Sequence, residues 1–322
     1  MSFSSDVKDE LSRQLNKSRH CQIAEITAII GFCGKVQINY NNSYCVKVQT
    51  ENIAVARKYY LLLKRAFGIQ ADITIRQSKN LRKQKNYIVS ILNHEDSVRV
   101  LQAAKLINQA GQMQKSLSLV NNLVIQQSCC KRAFIRGAFL SAGSISDPSK
   151  FYHFEIVCTT MDKAEQLKAI INSFQIDAKI VQRKKYYVVY IKEGAMIVEI
   201  LNVMEAHVAL MNLENVRIVK EMRNSVNRKV NCETANINKT VSAAVRQIED
   251  ITYIQEHTGL HVLSDGLEEI AVLRLENPDV SLKELGMMLN PQVGKSGVNH
   301  RLRKISNFAN DLRDKKEDQY HD

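Results

Sequence analysis

Two hydrophobic rhythms run along the chain. As far as about residue 204, short stretches of period two are interleaved with stretches at helical spacing. Beyond residue 233 only the helical spacing survives. Phe3, Val7, Leu11 and Leu15 step by four and predict an amphipathic helix over Phe3–Lys17, capped by Ser4 or Ser5. Ala24–Gly34 and Ala133–Gly143 are two apolar stretches rich in small residues, and each stops on a glycine. In the second, Phe134, Gly137, Ala138, Ser141 and Ala142 fall at spacings of three and four. One helix face is thereby left with little bulk, open to close approach by another helix.

The same succession of elements follows each of these stretches. After the first, Lys35–Tyr40 and Tyr44–Gln49 read as strands joined by Asn41-Asn42-Ser43. Alternation gives them one apolar face (Val36, Ile38, Tyr44, Val46, Val48) and one polar, basic face that carries Lys35 and Lys47. Glu51–Phe67 reads as a helix stopped by Gly68. Ala71–Arg76 is a strand with Ile73 and Ile75 inward and Arg76 outward. Tyr87–Leu92 is a strand and Glu95–Asn108 a helix. The second succession is Ser144-Ile145, Phe151–Thr159, Met161–Phe174, Lys179–Gln182, Tyr186–Lys192 and Met196–Met204. Phe67–Ile73 resembles Phe174–Ile180, Arg76 and Arg183 keep that offset, and Tyr87–Ile91 resembles Tyr187–Ile191. Ordered matches of this length predict a duplicated unit, with halves at about 20–108 and 129–204 inside a domain of residues 1–222.

A helix is expected over roughly Glu205–Asn224, then a linker at 223–237 where periodicity lapses, then a helical domain at 238–314. Ser281-Leu282-Lys283-Glu284 is a capping box opening Leu282–Leu289, Asn290–Gly294 is a turn, and Lys295–Phe308 is a third helix. Spacing buries Val298, Leu302 and Ile305. It turns Lys295, Ser296, Asn299, His300 and Arg303 outward, with Lys304 at the flank. This is the layout of a helix-turn-helix at 281–314, whose last helix presents its N-terminal residues to the major groove. Asn299 suits adenine, and Arg303 or Lys295 suits guanine or phosphate. A plain helical hairpin with a solvated basic face is the alternative. Gly294-Lys295-Ser296 is not a P-loop end, because Leu289 stands where a glycine is required.

Charge sharpens this division. The net charge is +12, and residues 1–222 hold 31 Lys and Arg against 18 Asp and Glu, whereas residues 223–322 hold 14 against 15. A strongly basic domain beside a neutral one points to a polyanionic partner for the first. Arg82, Lys83 and Lys85 in one half, and Arg183, Lys184 and Lys185 in the other, sit at equivalent hairpin loops. They suggest two grips on the phosphates of one duplex, or two solvated loops. Tyr186 and Tyr187 read as strand core. The 7 cysteines are odd in number and show no C-x-x-C, so free buried thiols in a reducing compartment are expected. The charged N-terminal turns argue against a signal peptide or membrane span, which predicts a cytoplasmic protein.

The twin small-faced helices, each followed by strand-strand-helix-strand-strand-helix, resemble the LAGLIDADG homing endonucleases. The resemblance implies an α+β fold, a duplicated αββαββα domain with two antiparallel sheets forming a basic saddle, here followed by an all-α helix-turn-helix domain. In active members the eighth motif position is an acid that binds catalytic divalent metal. Gly34 and Gly143 match the motif's last glycine, which places Cys33 and Ala142 in the two acid slots. Neither offers the oxygen ligands that Mg²⁺ needs, so no metal, no cofactor and no catalysis are expected. Asn231–Thr240, Ala243-Ala244, the helix-turn-helix, and Arg136–Leu140 with Gly143-Ser144 resemble the WhiA family of bacterial sporulation and cell-division regulators. That resemblance implies a nucleoid-associated transcription regulator binding double-stranded DNA, with RNA polymerase or a sigma factor as protein partner. The chain is read as a monomer. A metal-dependent endonuclease, and a saddle that binds protein instead of DNA, are the competing readings.

Overall fold

The computed structural model describes residues 2–38, 43–77, 85–108 and 119–319. The chain divides into two compact units, 1–221 and 222–322.

The first unit opens with α1 (Phe3–Arg13), whose Val7 and Leu11 are buried. Its N-cap is Ser2, whose hydroxyl accepts from the Ser5 amide; Ser4 and Ser5 lie inside the helix. α2 (Arg19–Cys33) is the first small-faced helix and α5 (Ser128–Ala142) the second. β1 (Gly34–Ile38), β2 (Tyr44–Thr50), α3 (Ile53–Phe67), β3 (Asp72–Gln77), β4 (Lys85–Ile91) and α4 (His94–Ala103) follow the first. β5 (Gly143–Ile145), β6 (Phe154–Cys158), α6 (Met161–Asn172), β7 (Lys179–Arg183), β8 (Tyr186–Ile191) and α7 (Gly194–Met204) follow the second. The two antiparallel sheets have the same strand order, β1-β2-β4-β3 and β5-β6-β8-β7. Their registers coincide as well: Gly34 pairs with Val48 and Gly143 with Ile156, Ile73 with Val89 and Ile180 with Val189. The duplication legible in the sequence is a structural one.

α2 and α5 pack against each other through their small faces. A Cβ added at Gly137 would lie 2.7 Å from the Glu25 carbonyl oxygen and 2.8 Å from the Ala28 Cβ, so only glycine permits this approach. Each half has its own apolar core. One is built on Ile26, Tyr59, Leu62 and Val89, the other on Phe139, Phe154, Leu167 and Val189.

Two readings of the strands need correction. Ile73 and Ile75 are on the helix-facing side but are 51% and 61% exposed, because β3 is an edge strand that extends beyond the helical cover. Tyr187 packs against the second core, whereas Tyr186 is exposed, with the Lys185 ammonium 5.4 Å from its ring.

In the second unit, α9 (Asp265–Glu276), α10 (Leu282–Met288) and α11 (Lys295–Gln319) enclose a core of Ile270, Leu285, Leu289, Val298, Leu302 and Ile305. α8 (His207–His257) is one continuous helix, so residues 223–237 are helical, and its Ile251 and Ile254 join this core. The lapse of periodicity there reflects exposure on all sides, not loss of helix.

Candidate nucleic-acid interface

The helix-turn-helix is assembled by three local devices. The capping box forms as expected: the Ser281 hydroxyl accepts from the Glu284 amide, and the Glu284 carboxylate accepts from the Ser281 amide at 3.0 Å. Hydrogen bonding of the carboxylate to the Ser281 hydroxyl and to the Ser281 backbone amide holds the Glu284 carboxyl below its usual range. Gly286 lets the turn close, because its carbonyl accepts from the Val293 amide at 2.9 Å and a Cβ would lie 2.0 Å from the Val293 carbonyl oxygen. Buried Arg274 ties α9 to α8 through Gln247 and donates to the Val280 carbonyl ahead of α10.

α11 is thereby placed with Val298, Leu302 and Ile305 inward. Lys295, Ser296, Asn299, His300, Arg303 and Lys304 are all exposed, and none has an ion-pair partner among the described residues. Arg301 is different. It is half-buried and donates to the Gly266 carbonyl, so it serves the packing of α11 on α9.

In the first unit, Lys35, Lys47 and Arg76 share the open face of the first sheet, lining a hollow of about 360 Å³ with Gln49, Thr74 and Asp72. Lys35 and Lys47 are direct cross-strand partners. On the second sheet the equivalent row is Ser144, Glu155, Tyr190 and Lys179. Register therefore sets Glu155 where the first half has Lys47. Glu155 accepts from Arg183 at 2.8 Å, contacts His153 at 3.0 Å and accepts from the Ser144 hydroxyl. Partial burial works to raise its carboxyl, but these partners outweigh burial and hold it below the ordinary range. The two sheets are alike in fold and unlike in charge, and Arg183 is not the free counterpart of Arg76. Lys184 and Lys185 form the exposed turn between β7 and β8, with Lys184 at φ 55°, in the left-handed region. Lys85 opens β4 and is exposed; Arg82 and Lys83 lie outside the described residues.

The motif ends are also defined. The Cys33 thiol donates to the Ile29 carbonyl at 3.3 Å, back along its own helix. Burial raises its pKa against the pull of Ser141, Lys8 and Lys163. Lys8 and Lys163 are themselves lowered by burial, and Lys163 donates to the Gly31 carbonyl. A thiol, a methyl and two neighbouring ammonium groups do not fit a Mg²⁺ site, which takes oxygen ligands. Sequence reasoning missed these lysines, since only the fold brings residues 8 and 163 to position 33.

Sequence models of the WhiA N-terminal LAGLIDADG-like domain, the WhiA LAGLIDADG-like domain and the WhiA C-terminal HTH domain match residues 19–107, 131–223 and 226–309. The "Probable cell division protein WhiA" of Lachnoclostridium phytofermentans is 54% identical over 97% of this chain and 100% of its own length. The chain belongs to the WhiA family. The WhiA protein of Alkaliphilus oremlandii is 49% identical over 98% of this chain and 99% of its own. The crystal structure of full-length WhiA from Thermatoga maritima covers 96% of this chain and 98% of its own at TM-score 0.58 and 24% identity, and shares its fold. The WhiA HTH domain contains the exposed basic face of α11, and the two WhiA LAGLIDADG-like domains contain the two sheets. Among the described residues, no helix is long and apolar enough to cross a membrane.

Proposed function

We propose that this WhiA-family chain is a non-enzymatic, DNA-binding transcription regulator of cell-division and sporulation genes. α11 reads base edges in the major groove. Asn299 pairs with adenine, and Arg303 and Lys295 contact guanine or phosphate, assisted by Ser296, His300 and Lys304. The observation that carries this reading is the outward face of α11: six polar or basic side chains, all exposed, on a helix whose opposite face is fixed in a core. The first sheet adds phosphate contacts through Lys35, Lys47 and Arg76, and Lys85, Lys184 and Lys185, with Arg82 and Lys83, add further ones. Arg183 contributes only in so far as Glu155 releases it. The protein acts as a monomer in the cytoplasm at the nucleoid, with RNA polymerase or a sigma factor as its protein partner. In this reading residues 1–222 grip the duplex, residues 238–314 read it, and residues 223–237 join the two.

Footprinting and genome-wide crosslinking of the intact protein test this, repeated with Asn299→Ala and Arg303→Ala. Discrete footprints should disappear in both variants while salt-sensitive nonspecific binding persists. Unchanged footprints would refute base reading by α11.

A further inference from the structure

The ends of α2 and α5 remote from the motif glycines carry a cluster that DNA binding does not use. His20 and Cys21 are the second and third residues of α2, and Cys129 and Cys130 are the second and third of α5. The two pairs are separated by the same 109 residues that separate Gly34 from Gly143, so they are pseudo-equivalent. The seam between the helices brings all four ligand atoms within 4.8 Å of one another. The His20 Nδ1 lies 3.1 Å from the Cys130 Sγ, 3.4 Å from the Cys21 Sγ and 4.0 Å from the Cys129 Sγ. Cys21 and Cys130 are buried beneath the pair, and His20 and Cys129 are exposed above it.

We propose that these four side chains form a structural Cys3His zinc site that staples the two halves together. A tetrahedral zinc centre with ordinary Zn–S and Zn–N bonds sets its ligand atoms roughly 3.6–3.8 Å apart. The separations in the cluster, 3.1–4.0 Å about His20 and within 4.8 Å throughout, bracket that spacing. A two-iron cluster would divide its ligands between two metals and hold them further apart. Magnesium or calcium would find no oxygen donor among these four groups. On binding, three thiol protons leave to solvent and the imidazole stays neutral, so Zn²⁺ with three thiolates carries a net charge of −1. That charge sits at two helix N-termini, each equivalent to roughly half a positive charge. The site is about 18 Å along the helices from Cys33 and Ala142, from twelve residues of helical rise, and so is separate from the lost catalytic centre. The ligands are split between halves far apart in sequence, which is why no C-x-x-C spacing announces them.

The test uses the full chain purified under reductant and dialysed against a metal-free buffer after zinc loading. Metal analysis should find about one zinc per chain. Cobalt substitution should give the visible absorption of a tetrahedral thiolate centre. Cys129→Ser and His20→Ala, both at exposed ligands and therefore expected to fold, should lower retained zinc from about one per chain toward zero and lose the cobalt spectrum. Cys232→Ser, remote from the cluster, should retain both. Three results would overturn the site: no retained metal with all thiols reduced, zinc unchanged in the Cys129→Ser/His20→Ala double variant, or a Cys21–Cys130 disulfide in the protein isolated without oxidant.

Discussion

Arg136 on α5 and Glu25 on α2 meet across the seam at 3.2 Å, with their side chains 1% and 0% exposed. Glu25 also holds Lys58 of α3 at 2.8 Å, and Arg136 reaches Glu205 at 2.7 Å. The remaining protons are satisfied by backbone: Lys58 donates to the Leu11 and Gln14 carbonyls and Arg136 to the Met204 carbonyl. Burial lowers Lys58. For Arg136 burial acts in the same sense, but Glu25 and Glu205 overcome it and raise the guanidinium further. Glu25 is thus shared between two buried cations contributed by both halves, and Glu205 supplies the second negative charge.

Glu25→Gln should therefore be severe. It leaves Lys58 and Arg136 without their shared countercharge, and breaking a buried pair in this way costs about 3–5 kcal/mol. Glu205→Gln removes a partner that is 40% exposed, where water can take over its contact with Arg136, and its loss is expected to be clearly smaller than that of Glu25→Gln. Urea unfolding of the two variants checks the order, and equal losses would refute the central place of Glu25.

The motif helices carry two glycines with opposite expectations. Gly137→Ala drives a Cβ into the Glu25 carbonyl and Ala28 across the seam, an overpacking that costs about 1–3 kcal/mol. Gly31 in α2 has nothing within 4 Å of an added Cβ, so Gly31→Ala should gain about 0.5–1 kcal/mol from the helix backbone alone. Thermal melts of both variants decide it, since a helix-propensity argument by itself predicts that both stabilise.

That contrast marks how far the sequence could be read. Period-two and period-four patterns are local, so the duplicated elements, the sheet faces at Lys35 and Lys47 and the buried triad Val298, Leu302, Ile305 were all legible. What was not legible depends on partners distant in the chain. No local pattern marks Glu25, because Arg136 and Lys58 come from other elements. Ile73 and Ile75 alternate correctly, but periodicity does not say where helical cover ends. Arg301 counts as one more positive charge in sequence, and only the packing of α9 shows that it is engaged.

Glu155 offers a gain of function. Glu155→Gln removes one negative charge from the open face of the second sheet and releases Arg183, making that sheet more like the first. Nonspecific duplex affinity should rise several-fold, and the slope of log affinity against log salt should steepen by about 0.9 for one added phosphate contact. The same substitution reports on pH. A carboxyl held below its usual range in the folded state adds stability that is present above about pH 4.5 and is lost as pH falls through the folded value. The variant should therefore lose less stability than the parent between pH 5 and pH 3 in urea titrations, each compared with its own value at pH 7.

A substitution at Gly286 tests whether α11 reads bases or only grips phosphates. Its added Cβ would meet the Val293 carbonyl oxygen at 2.0 Å and the Val298 side chain at 3.1 Å, and the backbone contact cannot be relieved by a rotamer change. Gly286→Ala must push the turn away from α10, and Val298 anchors the first turn of α11, where Lys295, Ser296 and Asn299 lie. A shift of that turn misaligns base-directed side chains, while phosphate contacts, which depend on charge more than on angle, survive. Binding to a footprinted site should fall at least tenfold, with affinity for unrelated duplex nearly unchanged. The melting of residues 222–322 should move down, while the first unit, whose cores do not include this turn, keeps its transition. Equal losses on specific and unrelated DNA would mean that α11 contributes charge and not sequence discrimination.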